Sequence, residues 1–260
     1  MTVCTNSVVH YTNDNIHTGL SGLDILQKII SEGFIAKCCM ETIFHNEYET
    51  SFFVPEISFC DIPLTLISEH TQSYGPYAIG LSKQWARAMK LNPVNYLTEN
   101  SLLKAGLYDM IPLIAKVANS LKGETKYDML DILYHANTIL HYIKHESGPL
   151  YRKGKLVYER YDYYKEREWR YVVDSDDFIL NIFTPDKNDL ITQRNEILKE
   201  EKYRLRFSID DITYILVNKE SEIPTMIKFV RRYFKDKCLP DKIDLLLTKI
   251  MSLERIKSDF

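Results

Sequence analysis

The sequence predicts an α+β fold, with strands from both halves of the chain forming one sheet around a helical middle. Three observations carry this reading. Extended, strand-like runs flank both ends, and apolar residues recur at i, i+3, i+4 from Leu102 to His145. The 260 residues are 45% hydrophobic, enough for one continuous core, with no repeat or low-complexity linker to divide it. The expectation is a single domain over 1–260 with a helical insertion at about 101–146.

Each element has its own signal. VVHYT, Val8 to Thr12, opens as a short strand. A helix follows, because Ser21 and Asp24 have the spacing of a capping box, Leu23, Leu26 and Ile30 form an apolar stripe, and Gly33 stops it. FFVPEISFCDIP reads as extended pieces interrupted by Pro55 and Pro63, and YAIGLS, Tyr77 to Ser82, as a further strand. The middle predicts two helices, the first bent at Pro112. Strands return in KLVYE, EREWRYVV, YRLRFS and ITYILVN, then a helix at Pro224 to Phe234 and the apolar segment IDLLLTKIM.

Charge and cysteine usage exclude several classes. The 33 basic and 36 acidic residues leave a net charge of −3, so any nucleic-acid contact must be local. Five cysteines without a C-x-x-C pair argue against a disulfide framework and a thiolate zinc site, and fit a reducing cytoplasm. No apolar run approaches the roughly 20 residues that span a bilayer, and the N-terminal stretch lacks the pattern of a leader. The expectation is a cytoplasmic protein with no membrane contact. Phosphate-binding glycine loops and a G-x-S-x-G elbow are absent from the sequence. His141 and His145 stand four apart on a helix without a third ligand, so no metal site is expected.

Three stretches can carry chemistry. On an extended EREWRYVV, Glu166, Glu168, Arg170 and Val172 share one face, and Trp169 and Tyr171 anchor the other in the core. Two carboxylates about 7 Å apart on one face can divide the work of a reaction through a sugar cation. The same face can equally be a solvated edge of weak ion pairs. His10, beside Thr12 on the first strand, has a ring that can donate to a ligand hydroxyl or simply satisfy a carbonyl. Tyr74 and Tyr77 flank the turn pair Gly75-Pro76 and present rings that can stack a planar heterocycle or cover a core rim. Asp61 and His70 are polar residues in the same apolar stretch.

SFCDIPL, HTQSYGPYAIGLSKQW, YYKEREWRYV, DDITYILV and LERIKSDF occur in an order that resembles the abortive-infection AbiGi family of phage-resistance proteins. The likeness covers most of the chain but little of Leu102 to Lys144. It implies phage defence and, by the family's customary label, the antitoxin of a two-gene system, with a cognate toxin as partner. The order of a strand with His10 and Thr12, a helix ending in Glu32-Gly33, an aromatic strand and a late strand with Glu is more distantly similar to ADP-ribosyltransferases, including DarT-like toxins. That likeness implies a mixed-sheet core using NAD as substrate. His10 and Thr12 would hold the nicotinamide ribose, Tyr74 or Tyr77 would stack the nicotinamide, Glu168 would be catalytic, and Glu166 would face a nucleic-acid or protein acceptor. The expected function is therefore an NAD-dependent mono-ADP-ribosyltransferase effector. The alternatives are a non-catalytic antitoxin and a degenerate transferase fold that serves as a nucleic-acid-binding or sensor module.

Overall fold

The computed structural model describes residues 5–45, 48–152, 155–174 and 187–259. In chain order the elements are β1 (Ser7–Thr12), α1 (Gly22–Glu32), β2 (Lys37–His45), β3 (Tyr48–Cys60), α2 (Ile67–Tyr74), β4 (Tyr77–Ser82), α3 (Lys83–Ala88), β5 (Asn92–Pro93), β6 (Asn95–Leu97), α4 (Leu102–Ser120) and α5 (Glu124–Leu140). There follow β7 (Ile143–His145), β8 (Ser147–Arg152), β9 (Lys155–Asp162), β10 (Glu168–Val172), α6 (Lys187–Ile197), β11 (Ile212–Val217), α7 (Ile223–Phe234), α8 (Pro240–Leu247), β12 (Ile250–Ser252) and α9 (Leu253–Asp259). The fold is mixed α+β with a mixed sheet: β11 and β12 are parallel, and the pairs β1–β4 and β4–β11 are antiparallel.

The chain divides into two compact units, one of residues 1–36, 57–92 and 198–260, the other of 37–56 and 93–197. In the first, strands run in the order β12-β11-β4-β1, then the last residues of β3. Strand alternation sends Val9, Ala78, Tyr214 and Leu216 to one face, where they pack with Ile62, Ile67, Leu253 and Ile256. The register pairs Thr12 with Tyr77 and His10 with Ile79, which places these four on the opposite face. Ser21 caps α1 with Asp24 in a reciprocal capping box, and Gly33 ends it at φ 83°.

In the second unit, β2 and the first part of β3 form an antiparallel pair in which Cys39 faces Val54 and Glu41 faces Phe52. Phe52, Val54, Leu97, Leu107, Ala136, Leu140 and Ile143 form its apolar core under α4 and α5. Pro112 lies within α4.

Several expectations need correction. EREWRYVV is not one strand: Tyr163–Glu166 forms a 3₁₀ turn, Arg167 takes a left-handed φ of 46°, and only Glu168–Val172 is extended. YRLRFS contributes a single bridge, Leu205 to Phe34, after the 3₁₀ turn Glu201–Tyr203. IDLLLTKIM splits between α8 and β12, because period-3.6 and period-2 readings of a short apolar run overlap. Pro55 does not interrupt β3. Its carbonyl accepts from Val173 N–H at 2.9 Å, just past the end of β10, so the missing N–H falls where that ladder stops.

Gly75 ends α2 at φ 108°, and a Cβ there would meet the Thr12 carbonyl oxygen at 2.2 Å. Gly75→Ala is expected to cost about 1–3 kcal/mol through backbone strain, measured as a lower urea midpoint.

Candidate functional site

The most unusual chemistry lies in the second unit, where two cations and four carboxylates are gathered. Arg170, on β10, has no exposed side-chain surface. Its Nε donates to Glu168 Oε1 at 2.7 Å, and Glu56 Oε2 lies 3.0 Å away. Nη1 donates to the His141 carbonyl at 2.9 Å, and Nη2 to Glu41. Lys144, on β7, donates to Glu166 and Glu168, each at 2.9 Å, and its ammonium stands 4.7 Å from the Tyr163 ring centre. Glu56, Glu166 and Glu168 are each 4% exposed.

Local structure explains how they meet. Glu168 and Arg170 are two apart on β10 and so share a face, as Glu41 and Glu56 do across β2 and β3 four pairs apart. Glu166 arrives differently: the 3₁₀ turn and left-handed Arg167 swing it onto the same ammonium as Glu168. The Tyr96 hydroxyl accepts the Glu168 N–H at 2.9 Å and fixes the start of the strand.

Electrostatics then separates the carboxylates. Burial raises the pKa of Glu168, but Lys144 and Arg170 outweigh it and hold the group far below the usual carboxylate range, ionised. Burial dominates at Glu56 and pushes it up to about 8, with the neighbouring carboxylates adding to the shift and Arg170 opposing it. His141 is lowered to about 4 by burial and by Arg170. At neutral pH Glu168 is therefore ionised and Glu56 protonated on either side of the Arg170 guanidinium.

His10, Thr12, Tyr74, Tyr77, Asp61 and His70 lie in the first unit, each engaged locally. His10 Nδ1 lies 2.9 Å from the Ser58 carbonyl, and its ring packs against Phe34 and Phe59. Thr12 donates to the Gly22 carbonyl at 2.8 Å. Tyr77 is buried over Gly22 and donates to Glu222 at 2.9 Å, and Tyr74 packs against Tyr11 and His70. Asp61 pairs with Lys83 at 2.6 Å. Trp169 is buried and Tyr171 half-buried. The face carrying Glu168 and Arg170 is not solvated, however, which overturns its reading as an exposed edge. Lys144, Glu41 and Glu56 escaped sequence reasoning; for Glu56 and Lys144 the signal was a lone charge inside the runs FFVPEISF and YIKH.

A family model described as "Putative abortive phage resistance protein AbiGi, antitoxin" matches residues 32–218. The chain is 27% identical over 225 residues to "Abortive phage resistance protein AbiGi" of Lactococcus lactis subsp. cremoris, covering 80% of this chain and 90% of that one. No solved structure matches.

Two outcomes test the cluster. Lys144→Met strands two buried carboxylates and should destabilise the fold by about 3–5 kcal/mol in urea titration. From pH 6.5 to 8 the folded chain keeps a proton on Glu56 that the unfolded chain has released, so stability falls as pH rises, by at most roughly 1.4 kcal/mol per pH unit. Below 6.5 His141 acts oppositely, since only its unfolded ring takes up a proton until about pH 4. Glu56→Gln should flatten the thermal-midpoint profile from 6.5 to 8.

Proposed function

The chain belongs to the AbiGi family of abortive phage resistance proteins, and from this we propose that it is the antitoxin of a two-gene defence system, binding a partner toxin through protein contact and without catalysis. One observation carries the reading. On α4, Leu103, Met110, Leu113 and Val117 are 57%, 37%, 61% and 37% exposed and fall on one stripe with three- and four-residue steps through Gly106. An exposed apolar row of this spacing fits a second amphipathic helix or a groove on a partner protein. The stripe lies within the region matched by the family model, whose description includes the word antitoxin. The buried cluster is consistent with this reading, because Glu166 and Glu168 are held by internal cations.

A second reading, an NAD-dependent mono-ADP-ribosyltransferase, draws support from the split protonation of Glu56 and Glu168 around one guanidinium, since carboxylates driven apart in this way serve as paired acid and anion in catalysis. In that reading Glu168 stabilises the sugar cation as nicotinamide leaves, and Glu166 orients the acceptor.

Co-expression with the protein encoded beside it separates the two. The antitoxin reading expects harmless solitary expression, relief of the partner's growth arrest and co-purification. Met110→Glu with Leu113→Glu should keep the melting temperature but weaken the complex by about 100-fold or more and abolish relief. Toxicity on solitary expression, with nicotinamide release lost in Glu168→Gln, would sink the antitoxin reading in favour of the transferase.

A further inference from the structure

The β8–β9 ribbon is used by neither reading. Among the described residues the two strands pair only with each other, and β9 is exposed from Lys155 to Arg160, with Leu156, Val157 and Tyr158 about half-exposed in a row. Exposed apolar side chains on a two-stranded ribbon gain nothing from the fold, and such a ribbon is marginal by itself.

Composition and geometry point to one kind of occupant. Five of the 18 tyrosines fall between residues 151 and 164, and residues 151–167 carry six basic and three acidic side chains, a net +3 in a chain of −3. One of the three acids, Glu166, is turned inward onto Lys144. The register runs seven steps along β9 against five along β8, so β9 carries two bulges that tighten the ribbon's twist. Rings follow one another along it. Tyr158 and Tyr161 have centres 5.8 Å apart at 35°, and Tyr161 and Tyr163 5.3 Å apart at 73°. Tyr163 is fixed by donation to the Pro149 carbonyl at 2.8 Å.

We propose that this ribbon binds single-stranded nucleic acid, with Tyr158 and its neighbours stacking unpaired bases and Lys155, Arg160 and Lys165 holding the backbone phosphates. Spaced aromatic rings accept any base by its flat face, and interleaved cations supply a phosphate track that the acidic chain as a whole does not offer. A duplex, whose bases are already stacked, gains only the charge contacts.

The test is fluorescence anisotropy of the full chain with labelled mixed-sequence RNA, DNA and duplex of about 20 nucleotides at near-physiological salt. Single strands should bind more tightly than duplex; equal RNA and DNA affinities assign stacking and phosphate contacts alone, and an RNA preference adds a ribose hydroxyl. Tyr158→Ala should weaken binding about tenfold or more, and Tyr158→Phe should stay within about twofold. Lys155→Glu with Arg160→Glu should reduce the salt dependence by at least about one phosphate contact. Absence of binding, or unchanged affinity in Tyr158→Ala, overturns the proposal. So does a result in which ribbon variants spare oligonucleotide binding and instead release the partner protein, which would assign the ribbon to protein contact.

Discussion

The charged cluster of the second unit is arranged around the need to compensate Arg170. A guanidinium with no exposed surface has lost its hydration, and only a complete set of acceptors makes that tolerable. The acceptors come from β2, β3, β10 and the carbonyl that follows α5, so one side chain ties together segments distant in sequence. Lys144 does the same for Glu166 and Glu168. Such a network adds less to stability than an apolar core of equal volume, but it penalises any other register of β10, because a one-residue slip would turn Arg170 away from its carboxylates.

This requirement bears directly on how the carboxylates are read. A glutamate on a strand is equally suited to catalysis and to structural pairing, and only its partners decide between them. The cations within reach of Glu168 occupy both its oxygens, which moves the weight toward the exposed face of α4 as the place where the protein meets its surroundings. Membership of the AbiGi family points the same way, through the antitoxin in its description. Among the described residues no helix is long and apolar enough to cross a membrane.

Local signals were readable where one interaction decides an element. The capping box at Ser21 and Asp24, the stop at Gly33, and the alternation of β1, β4 and β11 all follow from nearest neighbours in sequence. The late turn was not readable, because Tyr163–Glu166 and the left-handed Arg167 contain no glycine or proline to announce them. Their geometry answers to Lys144, a residue twenty-two positions earlier than Glu166. Glu56 and Lys144 were hidden for a related reason: one charge in an apolar strand becomes informative only when its opposite, contributed by another strand, is in view. His10 and Thr12 were legible as sharing one face of β1, and their local partners, Ser58 and Gly22, were not.

Cys39 shows a further consequence of the same charge arrangement. It sits opposite Val54 on β2, and its thiol is pushed strongly upward, first by burial and then by the Glu56 carboxylate, while Arg170 pulls the other way. Thiolate formation at this sulfur is therefore disfavoured by burial and by the same carboxylates that hold Arg170. Because the thiolate and not the thiol is the nucleophile, the charges that order the cluster also keep Cys39 chemically quiet.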